Sequence, residues 1–230
     1  MKVALFDIDG TILWSHGAGR RSMERALGTV FGSAGPRDYR YDGKTDKQIV
    51  RETMRAAGFT DAAVDARMDD VIDAYVAELD AELADGDHRL MLLPGVAAIL
   101  DAVEAHDDVM LGLLTGNVAR GAERKLRAVG LAIARFEVGA FGSDHEVRHE
   151  LPAIARSRAS RALGRDVPGA DCVVIGDTPS DVACARPIGA RTIAVATGSY
   201  DVGQLDACRP DVLFADLTDT AAVLAAILDA

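Results

Sequence analysis

The sequence predicts an α/β fold in which a doubly wound, Rossmann-like parallel sheet carries an inserted all-helical domain. Two observations indicate it. Short, nearly continuous apolar runs recur along most of the chain, and amphipathic segments separate the later ones. The stretch 14–93, in contrast, shows helical periodicity without any such run. Alternation of buried strands and amphipathic helices is typical of a parallel sheet with helices on both faces.

The strands of the sheet are predicted from runs that lack polar alternation, as expected for strands buried on both faces. The first of these runs lies at the N-terminus. The runs are Val3–Ile8, Val109–Leu114, Cys172–Ile175, Thr192–Val195 and Val212–Ala215. The first four end close to Gly, Thr or Asp. Between and after the later runs, amphipathic spacing predicts helices over Val118–Val129, Leu151–Leu163, Pro179–Ile188 and Thr220–Leu228.

The inserted domain is predicted to be a bundle of three helices. The first two span Gly19–Phe31 and Asp46–Ala57, and a long third spans Asp61–Leu83, where apolar residues follow a 3/4 spacing. Pro94 and Gly95 then mark the return to the sheet. We therefore expect a core domain over residues 1–13 and 94–230 and a helical cap over residues 14–93.

Composition excludes several classes of function. Of the 230 residues, 49% are hydrophobic and 27% are charged, as in a globular domain. The net charge of −11 disfavours binding to nucleic acid or to an anionic membrane. No apolar run approaches the roughly 20 residues of a membrane span, and the three cysteines form no CxxC pair. We expect a cytoplasmic protein, a monomer or a homodimer, that acts on a small molecule.

Polar residues follow three of the predicted strands. They are the segments Asp7-Ile-Asp9-Gly10-Thr11, Thr115-Gly116-Asn117 and Gly176-Asp177-Thr178-Pro179-Ser180-Asp181. In a doubly wound sheet the carboxyl ends of the strands meet at one edge, so these segments should converge. Four carboxylates at one edge would repel one another without a cation, and such hard oxygen ligands suit Mg²⁺. The sequence therefore predicts a magnesium site there.

These motifs resemble those of the haloacid dehalogenase-like phosphohydrolases. The resemblance rests on DxDGT at residues 7–11, an apolar strand ending in Thr115, a following basic residue, and GDTxxD at residues 176–181. The segment Gly112–Asn117 and the helical cap are most similar to the phosphoglycolate-phosphatase-like branch. The resemblance implies a Mg²⁺-dependent phosphatase that hydrolyses a small phosphorylated metabolite through an aspartyl-phosphate.

The resemblance also implies roles for the four acids. Asp7 would be the nucleophile. Asp9 would protonate the leaving oxygen and later accept a proton from water. The Asp7 carboxylate, the backbone carbonyl of Asp9, and Asp177 would hold Mg²⁺, with Asp181 in direct or water-mediated support; an N-cap role is the alternative for Asp181.

Further residues would bind the phosphoryl group and the rest of the substrate. The Thr115 hydroxyl and the backbone at Gly116 would hold phosphoryl oxygens, while Asn117 could do so or cap the following helix. The family's third motif is usually Lys, and the loop before the Leu151 helix offers Arg148 instead, whose fork matches phosphate. Cap residues that could contact an anionic leaving group are Arg20, Arg21 and Lys44, for which a solvated surface role is the alternative.

Two other enzyme classes are compatible with parts of the sequence. A phosphosugar mutase of the same family would share every core motif. A zinc hydrolase could use His145-Glu146-x-x-His149, since histidines at i and i+4 on a helix bind Zn²⁺. Arg148 inside that motif and Pro152 soon after it argue against this reading. The substrate stays open among phosphoglycolate, a sugar phosphate and a nucleotide monophosphate.

Overall fold

A computed structural model describes residues 1–84 and 90–229 and shows a six-stranded parallel sheet. Its strand order is β5-β4-β1-β6-β7-β8. The strands are β1 (Lys2–Phe6), β4 (Val109–Thr115), β5 (Val138–Phe141), β6 (Cys172–Gly176), β7 (Arg191–Val195) and β8 (Val212–Phe214). A separate antiparallel ribbon pairs β2 (Leu13–Trp14) with β3 (Met91–Leu92).

Helices cover both faces of the sheet, which confirms the predicted fold class. They are α5 (Val96–Glu104), α6 (Ala119–Ala128), α7 (Leu151–Leu163), α8 (Pro179–Ala185), α9 (Val202–Asp206) and α10 (Thr220–Leu228). Successive residues of a strand point to opposite faces. Accordingly, Ala4 and Phe6 belong to one buried apolar cluster, and Val3 and Leu5 belong to a second one that contains residues of α7 and α8.

Strand β1 is central to the arrangement of the strand ends. It pairs in parallel with β4 on one side and β6 on the other, with Phe6 opposite both Leu113 and Ile175. The segments that follow these three strands therefore leave the sheet at the same edge. The predicted convergence of the three polar motifs follows from this register.

In the described residues between β2 and β3 there are four helices, and we call residues 18–84 the helical segment. They are α1 (Ala18–Phe31), α2 (Asp46–Ala56), α3 (Asp61–Asp65) and α4 (Met68–Ala84). The prediction of one helix over Asp61–Leu83 was wrong. The Arg67 N–H bonds the carbonyl of Val64 rather than that of Ala63, so the hydrogen-bond ladder changes register and the helix axis is interrupted.

The predicted boundaries of the cap, at residues 14 and 93, lie at the β2–β3 ribbon; the division into two domains itself stays a prediction. Residues of the helical segment, such as Tyr75 and Leu79, share one buried cluster with residues of the sheet. Among the described helices, none has both the length and the apolar character needed to cross a bilayer.

Besides the short β2–β3 ribbon, three elements escaped the sequence analysis for local reasons. Strand β5 is a four-residue edge strand with a glycine at its second position, a weak strand signal. Helix α5 is apolar on most of its surface, so it lacks a clear polar face. Helix α9 has only five residues and begins at a capping box formed by Asp201 and Gln204.

Candidate active site

Asp7 lies at the centre of the site, directly after β1, and is 6% exposed. Its Oδ1 accepts a hydrogen bond of 2.7 Å from the backbone N–H of Ile8. Its Oδ2 accepts one of 2.9 Å from Nη2 of Arg148. Burial raises the pKa of Asp7 to about 6, although Arg148, the Ile8 N–H and the Thr115 hydroxyl oppose that rise.

Three buried carboxylates meet at this point. Oxygen atoms of Asp7, Asp177 and Asp181 all lie within 4.8 Å of one another. Burial, followed by the charges of Asp181 and Asp7, holds the pKa of Asp177 well above its ordinary value. Since a cation among them would remove this repulsion, the group fits a hard divalent metal such as Mg²⁺.

The backbone around Asp177 leaves room only for glycine. A Cβ on Gly10 or on Gly198 would overlap the Asp177 carboxylate. Gly10 also has φ of 82°, a left-handed conformation that favours glycine. The glycine of the first motif thus lets the chain turn tightly against a carboxylate of the last one.

Asp181 makes two sets of contacts. Its Oδ2 accepts hydrogen bonds from the backbone N–H and the hydroxyl of Thr178, at 2.9 and 2.7 Å, which completes a capping box at the start of α8. Its Oδ1 accepts a hydrogen bond from Nη2 of Arg148. The N-cap itself is Thr178 and Asp181 is the N3 residue of the box, so the predicted N-cap alternative for Asp181 was wrong.

Arg148 is 4% exposed and links the carboxylates of Asp7 and Asp181. It begins a 3-10 turn, residues 148–150, just before α7. These two acids keep its pKa well above the ordinary value despite burial, which acts in the opposite direction. Its buried Nε has no hydrogen-bond partner among the described residues. The structure thus places a cation where the third motif was expected.

Asp9 is not part of the cluster of three carboxylates. Its Oδ2 lies 2.6 Å from Nζ of Lys125 and accepts a 2.8 Å hydrogen bond from Nδ2 of Asn117. Lys125 also donates to Oδ1 of Asn117 at 2.6 Å. Although burial is the largest influence and acts upward, Lys125 and Asn117 together lower the pKa of Asp9. Its predicted contact with the metal through the backbone carbonyl stays a prediction.

Lys125 is a site residue that the sequence analysis missed. It lies on α6 with Ala122 and Leu126 on the buried face of that helix, and its side chain is 5% exposed. A lysine at an apolar position of an amphipathic helix requires a buried partner. That mismatch in periodicity was the available signal, and Asp9 is the partner.

Asn117 and Gly116 hold the second strand end in place. Asn117 does not cap α6, whose N-cap is Val118; its Nδ2 donates instead to Oγ1 of Thr115 at 2.8 Å and to Asp9. A Cβ on Gly116 would overlap the carbonyl oxygen of Lys44. The absence of a side chain at Gly116 therefore allows the helical segment to approach the sheet edge.

The helical segment is joined to the sheet edge by hydrogen bonds around α2. The Asp46 N–H donates to the carbonyl of Gly116 at 2.8 Å. The Thr45 hydroxyl, which also caps α2, donates to the carbonyl of Glu146 at 2.5 Å, and Lys47 reaches that of Ser143 at 3.0 Å. These contacts close the helical segment over the site.

A cavity of about 290 Å³ lies between the sheet edge and the helical segment. Asp7, Asp9, Thr115, Arg148 and Asp177 line the side formed by the sheet edge. The facing side combines apolar and aromatic residues with charged ones; its residues include Trp14, Met23, Tyr41, Ile49 and Tyr75 as well as Arg20, Asp42, Lys44 and Asp46. Charged side chains therefore line both sides of the cavity.

Asp46 is the buried acidic residue of the facing side, whereas Asp42, which also lines the cavity, is exposed. It is 7% exposed, and its Oδ2 accepts a 2.7 Å hydrogen bond from the Val118 N–H. Burial raises its pKa to about 6 against the effect of Lys125, and Asp9 contributes to the rise. The sequence analysis did not single out Asp46, because a carboxylate at the first position of a helix is an ordinary feature.

Arg20 and Lys44 line the cavity but are already paired. Arg20 forms an ion pair with Glu24 at 2.8 Å and donates to two backbone carbonyls of the following loop. Lys44 contacts Glu52 at 2.5 Å and the Tyr39 hydroxyl at 2.6 Å. Arg21 pairs with Glu82 at 2.7 Å. Their predicted role as readers of an anionic group stays a prediction.

The HExxH segment does not form a helical zinc site. Residues His145 to Val147 have no helical structure, and His149 lies in the 3-10 turn. Glu146 forms an ion pair with Arg51 at 2.5 Å. The two histidines therefore lack the one-turn spacing on an α-helix that this motif requires.

Comparison with known proteins agrees with this geometry. The family description "haloacid dehalogenase-like hydrolase" matches residues 4–186. The chain belongs to this family. A phosphoglycolate phosphatase of Synechococcus elongatus is 28% identical over 231 aligned residues, with 95% of each chain covered.

Several solved structures share the fold. A hydrolase from Pseudomonas syringae superposes with a TM-score of 0.75 at 21% identity, covering 99% of both chains. CbbY from Rhodobacter sphaeroides, crystallised with phosphate, gives 0.73 at 23% identity, covering 95% of this chain and 96% of its own. At these identities the likeness concerns the fold.

Proposed function

We propose that this protein is a Mg²⁺-dependent phosphatase that hydrolyses a small phosphate monoester through an aspartyl-phosphate on Asp7. The observation that supports it best is the surroundings of Asp7. Arg148 donates to it at 2.9 Å, two further carboxylates lie within 4.8 Å, and the cavity opens beside it. The named relative, a phosphoglycolate phosphatase, supports the same class of reaction.

In the first step, a carboxylate oxygen of Asp7 forms a bond to phosphorus while the ester P–O bond breaks. The electron pair of that bond goes to the leaving oxygen, which takes a proton from Asp9. In the second step, water attacks phosphorus, Asp9 accepts its proton, and the bond to Asp7 breaks. Inorganic phosphate and free Asp7 result.

Asp7, Asp177 and Asp181 would hold the metal, which neutralises charge between the nucleophile and the phosphoryl group when bound. Arg148 would donate to phosphoryl oxygens through its guanidinium group, since the residue lines the cavity. The Thr115 hydroxyl and the backbone at Gly116 would bind further oxygens. These groups act where negative charge develops on the transferred group.

Lys125 and Asn117 would keep Asp9 in position for both proton transfers. After Asp9 has protonated the leaving oxygen, its negative charge lies 2.6 Å from the Lys125 ammonium, which stabilises it. The same contact favours the ionised form that accepts a proton from water. Lys125 is thus a positioning residue for Asp9.

The phosphatase proposal is tested with Asp7→Asn. With an aryl phosphate and Mg²⁺, we expect kcat to fall on the order of 10⁴-fold or more, because an amide cannot form the intermediate. Asp70→Asn on the exposed face of α4 is the matched control and should keep full activity. Retained turnover by Asp7→Asn would contradict the nucleophile role.

The phosphosugar mutase alternative uses the same residues and differs in its product. A sugar monophosphate incubated with the enzyme should release inorganic phosphate if the proposal is right. Transfer of the phosphoryl group to a second hydroxyl of the sugar, without release of phosphate, would support the mutase instead.

A further inference from the structure

We propose that the cavity selects phosphate monoesters whose alcohol part carries a hydrogen-bond donor and no second negative charge, with Asp46 as the selecting residue. This inference rests on the proposed function and specifies its substrate class. It therefore disfavours phosphoglycolate itself, whose terminal group is a carboxylate.

Asp46 offers a free hydrogen-bond acceptor to the cavity. Only Oδ2 of its carboxylate is engaged, by the Val118 N–H at 2.7 Å. In the described part of the chain no hydrogen bond reaches Oδ1. Because Oδ1 is not fully buried and Asp46 lines the cavity, a donor from the ligand can reach it.

Asp46 also lies near the residue that would protonate the leaving oxygen. Asp46 interacts electrostatically with Asp9 and Lys125. Asp9 is the group that would protonate the leaving oxygen, so the alcohol part of the substrate extends from Asp9 toward Asp46. The aromatic ring of Tyr75 lines the same end of the cavity.

The charges at that end of the cavity are not balanced. One cation, Lys125, lies among two carboxylates, Asp9 and Asp46. The other basic side chains on this side of the cavity, Arg20 and Lys44, are ion-paired with Glu24 and Glu52. A carboxylate or a second phosphate would thus meet net negative charge, whereas a hydroxyl or an ammonium group would meet an acceptor.

The test uses three two-carbon monophosphates that differ only in their terminal group: 2-hydroxyethyl phosphate, phosphoethanolamine and 2-phosphoglycolate. At about pH 8, where Asp46 with its pKa of about 6 is ionised, we expect kcat/KM for the first two to exceed that for 2-phosphoglycolate about 10-fold or more. The ratio between the first two distinguishes a hydroxyl from an ammonium ligand. Inhibition of aryl phosphate turnover by each compound measures binding even where turnover is slow.

Asp46→Asn keeps an oxygen for the Val118 N–H and removes the charge. We expect this variant to reduce the preference about 10-fold, mainly because 2-phosphoglycolate improves. Asp70→Asn, with the same change of charge on the exposed face of α4, should leave the preference unchanged. Its melting temperature and that of Asp46→Asn are compared with the wild type to establish folding.

Two results would overturn the inference while the phosphatase proposal stands. One is a wild-type enzyme that binds or hydrolyses 2-phosphoglycolate better than the other two compounds. The other is an unchanged preference in folded Asp46→Asn. If neither the aryl phosphate nor any of the three esters is hydrolysed in Mg²⁺, the proposed function fails, and the inference fails with it.

Discussion

The two sides of the cavity differ in how their charges are arranged. At the sheet edge, Asp7, Asp177 and Asp181 crowd together with Arg148 as the one basic side chain bonded to them among the described residues. On the side of the helical segment, Arg20 and Lys44 each have a carboxylate partner. The negative charge at the sheet edge is therefore neutralised only when a metal or a cationic ligand binds. On the facing side, most of the charged groups already neutralise one another.

Because of this difference, we assign the reaction to the sheet edge and the selection of the substrate to the helical segment. Uncompensated buried charge shifts pKa values and marks groups that react or bind ions. Charged side chains that are already ion-paired, in contrast, form part of the cavity wall. On the helical side, Asp46 differs from Arg20 and Lys44 because it has no ion-pair partner among the described residues. We therefore propose Asp46 as the residue that selects the substrate.

The largest effect on this contrast is expected from Arg148→Ala. Because two buried carboxylates would lose their partner, the free energy of unfolding should fall by about 3–5 kcal/mol without metal, and kcat/KM for an aryl phosphate by about 10²–10³-fold. Arg148→Lys, which keeps the charge without the fork, should recover part of both. Denaturant unfolding and steady-state kinetics measure the two effects. If Arg148→Ala kept wild-type kinetics, the proposed role of Arg148 in binding the phosphoryl group would be wrong.

The next effect concerns metal and pH. The pKa of Asp7 is about 6 in the folded protein, above its ordinary 3.8, so between those values the folded chain binds more protons than the unfolded chain. The free energy of unfolding of the metal-free protein should therefore decrease as pH rises through this window, by about 3 kcal/mol for this group.

Mg²⁺ should reverse that loss where the carboxylates are ionised. We expect Mg²⁺ to raise the melting temperature more at about pH 8 than at about pH 5, because protons compete with the metal at the lower pH. Asp177→Asn should abolish the response, and Asp46→Asn, on the other side of the cavity, should keep it. A response to Mg²⁺ of equal size at both pH values would argue against metal binding at this cluster.

A smaller effect is expected from Lys125→Met. Without the ammonium beside Asp9, kcat/KM should fall about 10–100-fold for an alkyl phosphate and less for an aryl phosphate, whose leaving oxygen needs little protonation. The pH profile of kcat should shift upward, since Lys125 lowers the pKa of Asp9. Equal losses for both substrates with an unshifted profile would indicate a purely structural role.

The smallest effect is expected from Lys44→Met. Lys44 is already held by Glu52 and Tyr39, and Glu52 has a pKa of about 2 as a result. The exchange should change kcat/KM less than about 3-fold, because a partly exposed ion pair contributes little. If kcat/KM fell 10-fold or more only for substrates with an anionic leaving group, Lys44 would be shown to bind that group.

Much of the sheet and its motifs could be predicted from local sequence. The five apolar runs all became strands, and the residues after three of them meet at one edge, as parallel strands require. Arg148 was placed by its position relative to α7 and lies against Asp7. Strand β5 and the break between α3 and α4 were not predicted, because a four-residue edge and a change in hydrogen-bond register leave little trace in periodicity.

By itself, the sequence determined the fold class and the order of the acidic motifs, since apolar periodicity and strand-end carboxylates are properties of short segments. The tertiary structure decided which charges are compensated. Lys125 meets Asp9 across 116 positions of the chain, and Asp46 meets the Val118 N–H across 72. Packing of the helical segment against the sheet brings these distant residues together. A local sequence pattern cannot predict a pair whose members are so far apart along the chain.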